Sequence, residues 1–323
     1  MYRLGGSLHL TLHQLRLLLA TAQEGSVSRA AERLHLTQPT LSAQLKQLAE
    51  QVGLPLHERV GRRLHLTEAG RLVAAAAARV AEELGQLENE LAVLRGDQGG
   101  RLRLAVVSTA EAFIPRLLGE FRKVRPAVEV SLVVLNRQAV VGRLLENQDD
   151  LYIMTKPPAE TPVSAVPFLT NPLVVVAAAD HPLAKRKQVA AGALVDAEFV
   201  LREPGSGTRL AAEEFFAARG VQLRPRLELG SNEAVRQAVA GGLGLSVLSA
   251  HALGPHPEEL GIAVLPVRGT PIPARWQVVA PAGKRLTPLA QAFLDYLQER
   301  APRLEAEAGQ RLALAVAGAI PGR

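Results

Sequence analysis

The chain has 323 residues, 48% of them hydrophobic and 21% charged, which is enough to bury the cores of two or three domains and excludes a disordered chain. It contains no cysteine, which excludes disulfides, cysteine-based zinc sites and thiol nucleophiles. The net charge is +6; residues 1–81 hold ten basic and five acidic side chains, so most of the excess lies in the first quarter and points to a polyanionic partner there, with a plain solvated basic surface as the alternative. The first residues, MYRLGGSLHLTLHQLRLLLATAQ, carry two Arg, Arg3 and Arg16, and no sustained apolar core, so no signal peptide is expected. No apolar run reaches the ~18 residues of a membrane span, and the expectation is a cytoplasmic protein without membrane contact.

Three short helical patterns come first. Leu12, Leu15, Leu19 and Ala22 form the apolar stripe of the first. Gly25-Ser26 breaks it, with Ser26 as cap of a second helix that turns Val27, Ala30, Ala31 and Leu34 inward. His35-Leu36-Thr37 is the turn, and Thr37 caps a third helix with Pro39 in its first turn. Leu41, Leu45, Leu48 and Val52 face the core, which is the layout of a helix-turn-helix. Pro39, Thr40, Ser42, Ala43, Lys46 and Gln47 face outward, and Gln38 sits at the tip. Small polar groups fit a major groove, where Gln pairs with adenine and Ser or Thr reaches phosphates and bases. The helix N-terminus itself favours phosphate. An ordinary surface helix is the alternative.

LPLHERVGRRLHLTEAG then predicts a hairpin, with Arg59, Arg62 and Arg63 around Gly61 at its tip. Such a basic wing would lie along a nucleic-acid backbone. Aromatic residues are 3% of the chain, which argues against single-strand or RNA readout by stacking.

GSVSRAAERLHLTQPTLSAQLKQLAEQVGLPLHERVGRRLHLTEAG is similar to the DNA-binding end of LysR-type transcriptional regulators, from about Leu10 to Gly70 and with the family's spacing throughout. Val27 and His57 stand where that family usually has Phe, both at packing positions. The resemblance implies a winged helix-turn-helix over 8–66. Its candidate contacts to double-stranded operator DNA are Ser28, Arg29, Thr37, Gln38, Pro39, Thr40, Ser42, Lys46, Arg59, Arg62 and Arg63.

Residues 67–97 predict a long linker helix. Val73, Ala77, Val80, Leu84, Leu87, Leu91 and Leu94 keep a seven-residue repeat, the pattern of a helix that pairs with its own copy. Packing on its own domain is the alternative. The resemblance implies a homodimer through this helix and further assembly to a homotetramer, with RNA polymerase as a candidate partner of an activator. Arg95 to Gly100, RGDQGG, ends the helix and supplies a hinge.

From 98 to 300 strands and helices alternate, predicting an α/β domain with mostly parallel sheets in two subdomains. Ligands in such sheets bind beyond the carboxyl ends of the strands. Ser108-Thr109, Asn136, Thr155-Lys156 and the loop REPGSGTR occupy those ends. In that loop Gly205 and Gly207 allow a close backbone approach, Ser206 and Thr208 offer hydroxyls at a helix start, and Arg202 and Arg209 add charge, which together make an anion site. A turn and cap, with Arg202 paired to Glu203 or another acid, is the plain alternative. Ser231 or Asn232 is expected to cap the following helix rather than touch ligand.

STAEAFIPRLL, MTKPP, NPLVVVAAADHPLA, FVLREPGSGTRLAAEEFF and SNEAVRQAVAGGLGLSVLS resemble the CbbR-like branch of the LysR family, regulators of Calvin-cycle and RuBisCO operons. The resemblance implies a two-lobed, periplasmic-binding-protein-like effector domain. Lobe I would be about 101–162 with 270–300, and lobe II about 163–269. It also implies a phosphorylated-metabolite or nucleotide effector, and no other cofactor. Tyr152, where a small residue is common, would alter the cleft wall. Residues 301–323 form a tail of unassigned role.

No metal site or enzyme is expected. His9 and His13 lack a third ligand, HExxH and GxSxG are missing, Asp149-Asp150 reads as a surface turn, and His251 and His256 read as solvated. A small-molecule-binding protein whose N-terminal part only dimerises, and an enzyme using the GSGTR loop, are the rival classes.

Overall fold

The computed structural model describes residues 9–60, 63–94, 99–254 and 256–317, leaving out some side chains within them, those of Arg59 and Arg63 included. Gly61 and Arg62 at the hairpin tip, and most of the expected hinge, lie outside the described residues. The chain divides into two compact units, Met1–Leu91 and Ala92–Arg323.

The first unit holds α1 (Leu12–Glu24), α2 (Val27–Arg33), α3 (Gln38–Val52), β1 (His57–Val60), β2 (Arg63–Leu66) and α4 (Glu68–Leu94). Each short helix starts on a side-chain cap. Thr11 and Gln14 cap α1 reciprocally, Ser26 accepts from the Arg29 amide, and Thr37 accepts from the Thr40 amide. Leu41, Leu45 and Leu48 of α3 meet Leu17, Leu18, Ala30 and Ala31 in one core. The α1 stripe is rotated from its expected phase: Leu12 is exposed, and the buried face is Gln14, Leu17, Leu18 and Thr21. The run Leu17-Leu18-Leu19 leaves the phase open by a residue, and Thr21 can enter the core because its hydroxyl donates to the Leu17 carbonyl at 2.8 Å. Val27 and His57 occupy the expected packing positions; Val27 packs on this core, and the His57 Nδ1 is buried with no hydrogen-bond partner among the described residues.

β1 and β2 form an antiparallel hairpin with Arg59 opposite Leu64 and Val60 opposite Arg63. At the foot of α4 a Cβ on Gly70 would stand 1.8 Å from the Leu56 carbonyl oxygen, so only glycine allows this approach. The first part of the seven-residue repeat serves its own unit: Val73 packs on the core and Ala77 is buried. Val80, Leu84, Leu87 and Leu91 are 37–49% exposed, a row of apolar side chains continuing along the helix.

The second unit runs β3 (Gly100–Val107), a 3-10 turn (Ser108–Ala112), α5 (Ile114–Val124), β4 (Val128–Leu135), α6 (Arg137–Leu145), β5 (Leu151–Met154), β6 (Val163–Thr170) and β7 (Leu173–Ala178). It continues with β8 (Glu198–Arg202), α7 (Gly207–Ala217), β9 (Arg224–Leu229), α8 (Asn232–Ala240), β10 (Ser246–Ser249), β11 (Ile262–Val264), β12 (Arg275–Pro281) and α9 (Pro288–Ala317). Lobe I is the sheet β4-β3-β5-β12-β6; lobe II carries β10-β7-β11 and β8-β9.

The sheets are mixed rather than mostly parallel. β3 pairs in parallel with β4 and β5, whereas β12 is antiparallel to β5 and β6, and β7 is antiparallel to β10 and β11. β6 leaves lobe I and β12 returns to it alongside, so the two must run in opposite directions. The first lobe boundary also moves. β6 belongs to the lobe I sheet, and the chain crosses at Asn171–Pro172 instead of near 162. Pro167 hides this strand in the sequence, and it is tolerated because β6 is an edge strand. The return crossing lies at Ile272–Ala274, where Leu173 bridges Ile272.

Asp149 and Asp150 are buried, not a surface turn; Arg143 and Arg103 each clamp one carboxylate with paired hydrogen bonds. Tyr152 is likewise fully buried and forms no cleft wall. Its hydroxyl accepts from the Asp149 amide and donates to the Arg143 carbonyl, both at 2.9 Å, and burial raises its pKa. His251 is not solvated: its ring packs on Phe113 at 5.5 Å, and its Nε2 lies 2.8 Å from the Thr170 carbonyl oxygen. The expected tail begins inside α9, which passes through residue 300 without a break. No helix among the described residues is long and apolar enough to cross a membrane.

Candidate DNA-reading helix and effector cleft

The caps of α2 and α3 fix the turn between them and leave the start of α3 open. Thr37, Gln38, Pro39, Thr40, Ser42 and Lys46 are all exposed, as are Ser28 and Arg29 on α2. Ser28 and Gln38 touch, the hydroxyl donating to the amide oxygen at 3.2 Å, so α2 and α3 present one continuous polar edge. The Thr37 and Thr40 hydroxyls lie 2.8 Å apart. Arg29 is held on the Glu24 carbonyl, and Lys46 is loosely paired with Glu50 at 3.9 Å. This edge carries donors and acceptors with little bulk, which is what a helix entering a major groove needs.

In the second unit the carboxyl ends of β3, β5 and β8 converge with the start of α7 on a small cleft. Six of the expected residues line it: Ser108, Thr109, Thr155, Arg202, Ser206 and Gly207. Its cavity of about 10 Å³ has room for about one water. Gly207 is there for space, since a Cβ would stand 2.6 Å from the Thr155 Oγ1; Gly205 is there for its left-handed backbone, at φ +79°. Ser206 caps α7 without a side-chain hydrogen bond, so its hydroxyl is not spent on the helix.

Five expected residues stand off the cleft. Asn136 accepts from the Ala139 amide and caps α6. Lys156 is ion-paired across the lobes with Glu214. Gly205 forms the turn, and Thr208 is buried one residue into α7. Arg209 is spent on Glu213 and Glu228, both at 2.7 Å, and on the Arg202 carbonyl. Arg202 does reach the cleft, but its charge is matched. It grips Glu203 with two nitrogens, donates to Asn232 Oδ1 at 2.6 Å, and crosses to Ser108 Oγ at 2.8 Å. Ser231 caps α8, as its position suggests.

The cleft charge that sequence reasoning missed is Arg137, the first residue of α6. It lines the cleft and donates through Nε to the Lys156 carbonyl at 2.8 Å, and burial lowers its pKa. No carboxylate pairs with it among the described residues. The signal was available: Arg137 follows directly on Asn136, which the strand-end argument had already singled out. The cleft can therefore offer an anion one unmatched guanidinium, the free Ser206 hydroxyl and the first amides of α7.

Residues 12–71 match the bacterial regulatory helix-turn-helix proteins of the lysR family, and residues 95–302 match the LysR substrate binding domain. The RuBisCO operon transcriptional regulator of Acidithiobacillus ferrooxidans is 49% identical over 289 residues, 90% of this chain and 94% of that protein. The HTH-type transcriptional activator CmpR of Synechocystis sp. PCC 6803 is 46% identical over 287 residues, 89% of this chain and 94% of that one. Among solved structures, the regulatory domain of Synechocystis PCC6803 CcmR in complex with 2-PG is 49% identical, with a TM-score of 0.61, covering 64% of this chain and 99% of that one. The chain belongs to the LysR family of transcriptional regulators.

Proposed function

We propose that this LysR-type regulator controls carbon-fixation genes, reading operator DNA with α3 and answering a small phosphorylated metabolite held between the lobes of its second unit. The observation that carries the gene class is the 49% identity, over nine-tenths of the chain, to a regulator named for a RuBisCO operon. The similarity to an activator favours activation. The reading site is the exposed edge from Ser28 to Lys46, with the hairpin as a phosphate-contacting wing. The exposed row Val80, Leu84, Leu87 and Leu91 supports a homodimer through α4, and family likeness supports a tetramer and contact with RNA polymerase. Such a protein works in the cytoplasm.

The related regulatory domain solved with 2-PG supports a small effector in the cleft. Because the cleft has room for about one water, a metabolite enters only if the lobes part or the Arg202–Ser108 bond yields. The ligand therefore favours one lobe arrangement over another, the condition for any coupling to DNA geometry. Footprinting of the promoter adjoining its own gene, with and without 2-PG, tests this reading. Protection that shifts in extent or spacing on adding 2-PG supports it; no protection under either condition overturns it.

A further inference from the structure

We propose that Glu305, beyond the matched family region, is a brace that holds the two lobes in their shut arrangement and so sets effector affinity. The LysR substrate-binding match ends at residue 302, while α9 continues to Ala317. Three residues past that limit, Glu305 reaches the strand that crosses between lobes. One carboxylate oxygen accepts from the Thr170 amide at 2.7 Å, and the other accepts from the Thr170 hydroxyl. Thr170 is the last residue of β6, immediately before the crossing at Asn171–Pro172. Lobe II holds the same residue from its other side, where His251 Nε2 meets the Thr170 carbonyl at 2.8 Å.

The extension also touches both lobes. Leu304 and Ala308 close a cavity of about 60 Å³ together with Phe113 and Leu169 of lobe I and His251 of lobe II. Ala308 is buried, and Leu304 packs against the lobe I core. Glu305 fixes the peptide of Thr170 on α9, and His251 of lobe II grips the carbonyl of that fixed residue, so parting the lobes at the crossing works against the hydrogen bond that this anchoring holds in place. In the arrangement so held the cleft has room for about one water, so the shut state is not the one that takes a metabolite. The brace thereby lowers the fraction of binding-competent molecules.

The affinity half of this inference rests on the effector reading above; the geometric half does not. The chain has no cysteine, so Lys123→Cys on lobe I and Lys187→Cys on lobe II, both exposed, give a spin-labelled pair with no background thiol. In the full-length protein, Glu305→Ala and a chain ended after Pro302 are expected to broaden the inter-lobe distance distribution toward longer values. Glu305→Gln, which keeps an acceptor for Thr170, stays near the parent. Unchanged distributions in both Glu305→Ala and the shortened chain overturn the brace. With 2-PG as probe, Glu305→Ala is expected to bind at least about threefold more tightly. An altered distribution with unaltered affinity overturns the claim that the shut state excludes ligand. If no version of the chain binds 2-PG, the effector reading fails while the distances still decide the brace.

Discussion

Arg202 at the end of β8 donates to the Ser108 hydroxyl at the end of β3, 2.8 Å away, and so joins lobe II to lobe I across the candidate cleft. The same guanidinium holds Glu203 and Asn232, which makes it a rigid strut on the lobe II side and leaves Ser108 as the weak end of the bond. Removing the two ends has different consequences. Ser108→Ala loses one charge-assisted hydrogen bond and is expected to cost about 1–2 kcal/mol of stability while making the lobes easier to part. Arg202→Ala strips partners from a buried cluster and is expected to cost about 3 kcal/mol or more. Denaturant midpoints of the two variants check the ordering; equal losses would mean that the Arg202 cluster has no strength of its own.

The unmatched cleft charge gives a second contrast. Arg137→Gln is expected to weaken 2-PG binding by about tenfold to a hundredfold, the worth of one charged hydrogen bond. Arg209→Gln is expected to leave that affinity within about threefold, because its nitrogens already serve Glu213 and Glu228. Calorimetric titration checks both. A larger loss from Arg209 than from Arg137 would reverse the assignment drawn from the geometry.

The apolar row on α4 predicts that association depends on it. Leu84→Glu with Leu87→Glu, both on exposed positions, is expected to leave the fold intact and lower the molar mass measured by light scattering. An unchanged mass at micromolar concentration would assign association to other surfaces.

Tyr152 supplies a test of the buried polar cluster. Tyr152→Phe leaves the Asp149 amide and the Arg143 carbonyl without this partner and is expected to cost about 1–3 kcal/mol. Because burial raises the phenol's pKa, the folded state keeps its proton where the unfolded chain loses it. This contribution is complete below the unfolded value of about 10 and is lost as pH rises past it. Between neutral pH and about pH 11 the parent is therefore expected to lose more stability than the Phe variant, as read by urea unfolding at both pH values.

What the sequence could and could not announce follows from how local each signal is. The α3 stripe, the Ser26 and Thr37 caps and Pro39 lie within a few residues of the elements they define, and their positions agree with the structure. The strand ends that carry Ser108 and Thr155 were legible for the same reason. The α1 face was misread because three consecutive leucines carry no phase. β6 was missed because Pro167 removes the strand signal, and its tolerance depends on edge position, which no local window contains. Arg209 looked like a ligand charge because one of its neutralising partners, Glu228, lies 19 residues away, whereas the carboxylate that matches Arg202 is the adjacent Glu203, the pairing that the sequence offered as the plain alternative. Asp149 and Asp150 looked solvated because Arg103, which buries Asp150, lies 47 residues upstream.

The central claim is that the outward edge of α3 reads base sequence while the basic wing binds backbone, and paired titrations of operator and unrelated duplex over a range of salt test it most directly. Gln38→Ala is expected to lose about 1–3 kcal/mol on the operator and little on unrelated DNA. Arg62→Ala is expected to weaken both equally and reduce the salt slope by about one. Equal losses on both duplexes for Gln38→Ala, with the salt slope of Arg62→Ala unchanged, would contradict the account.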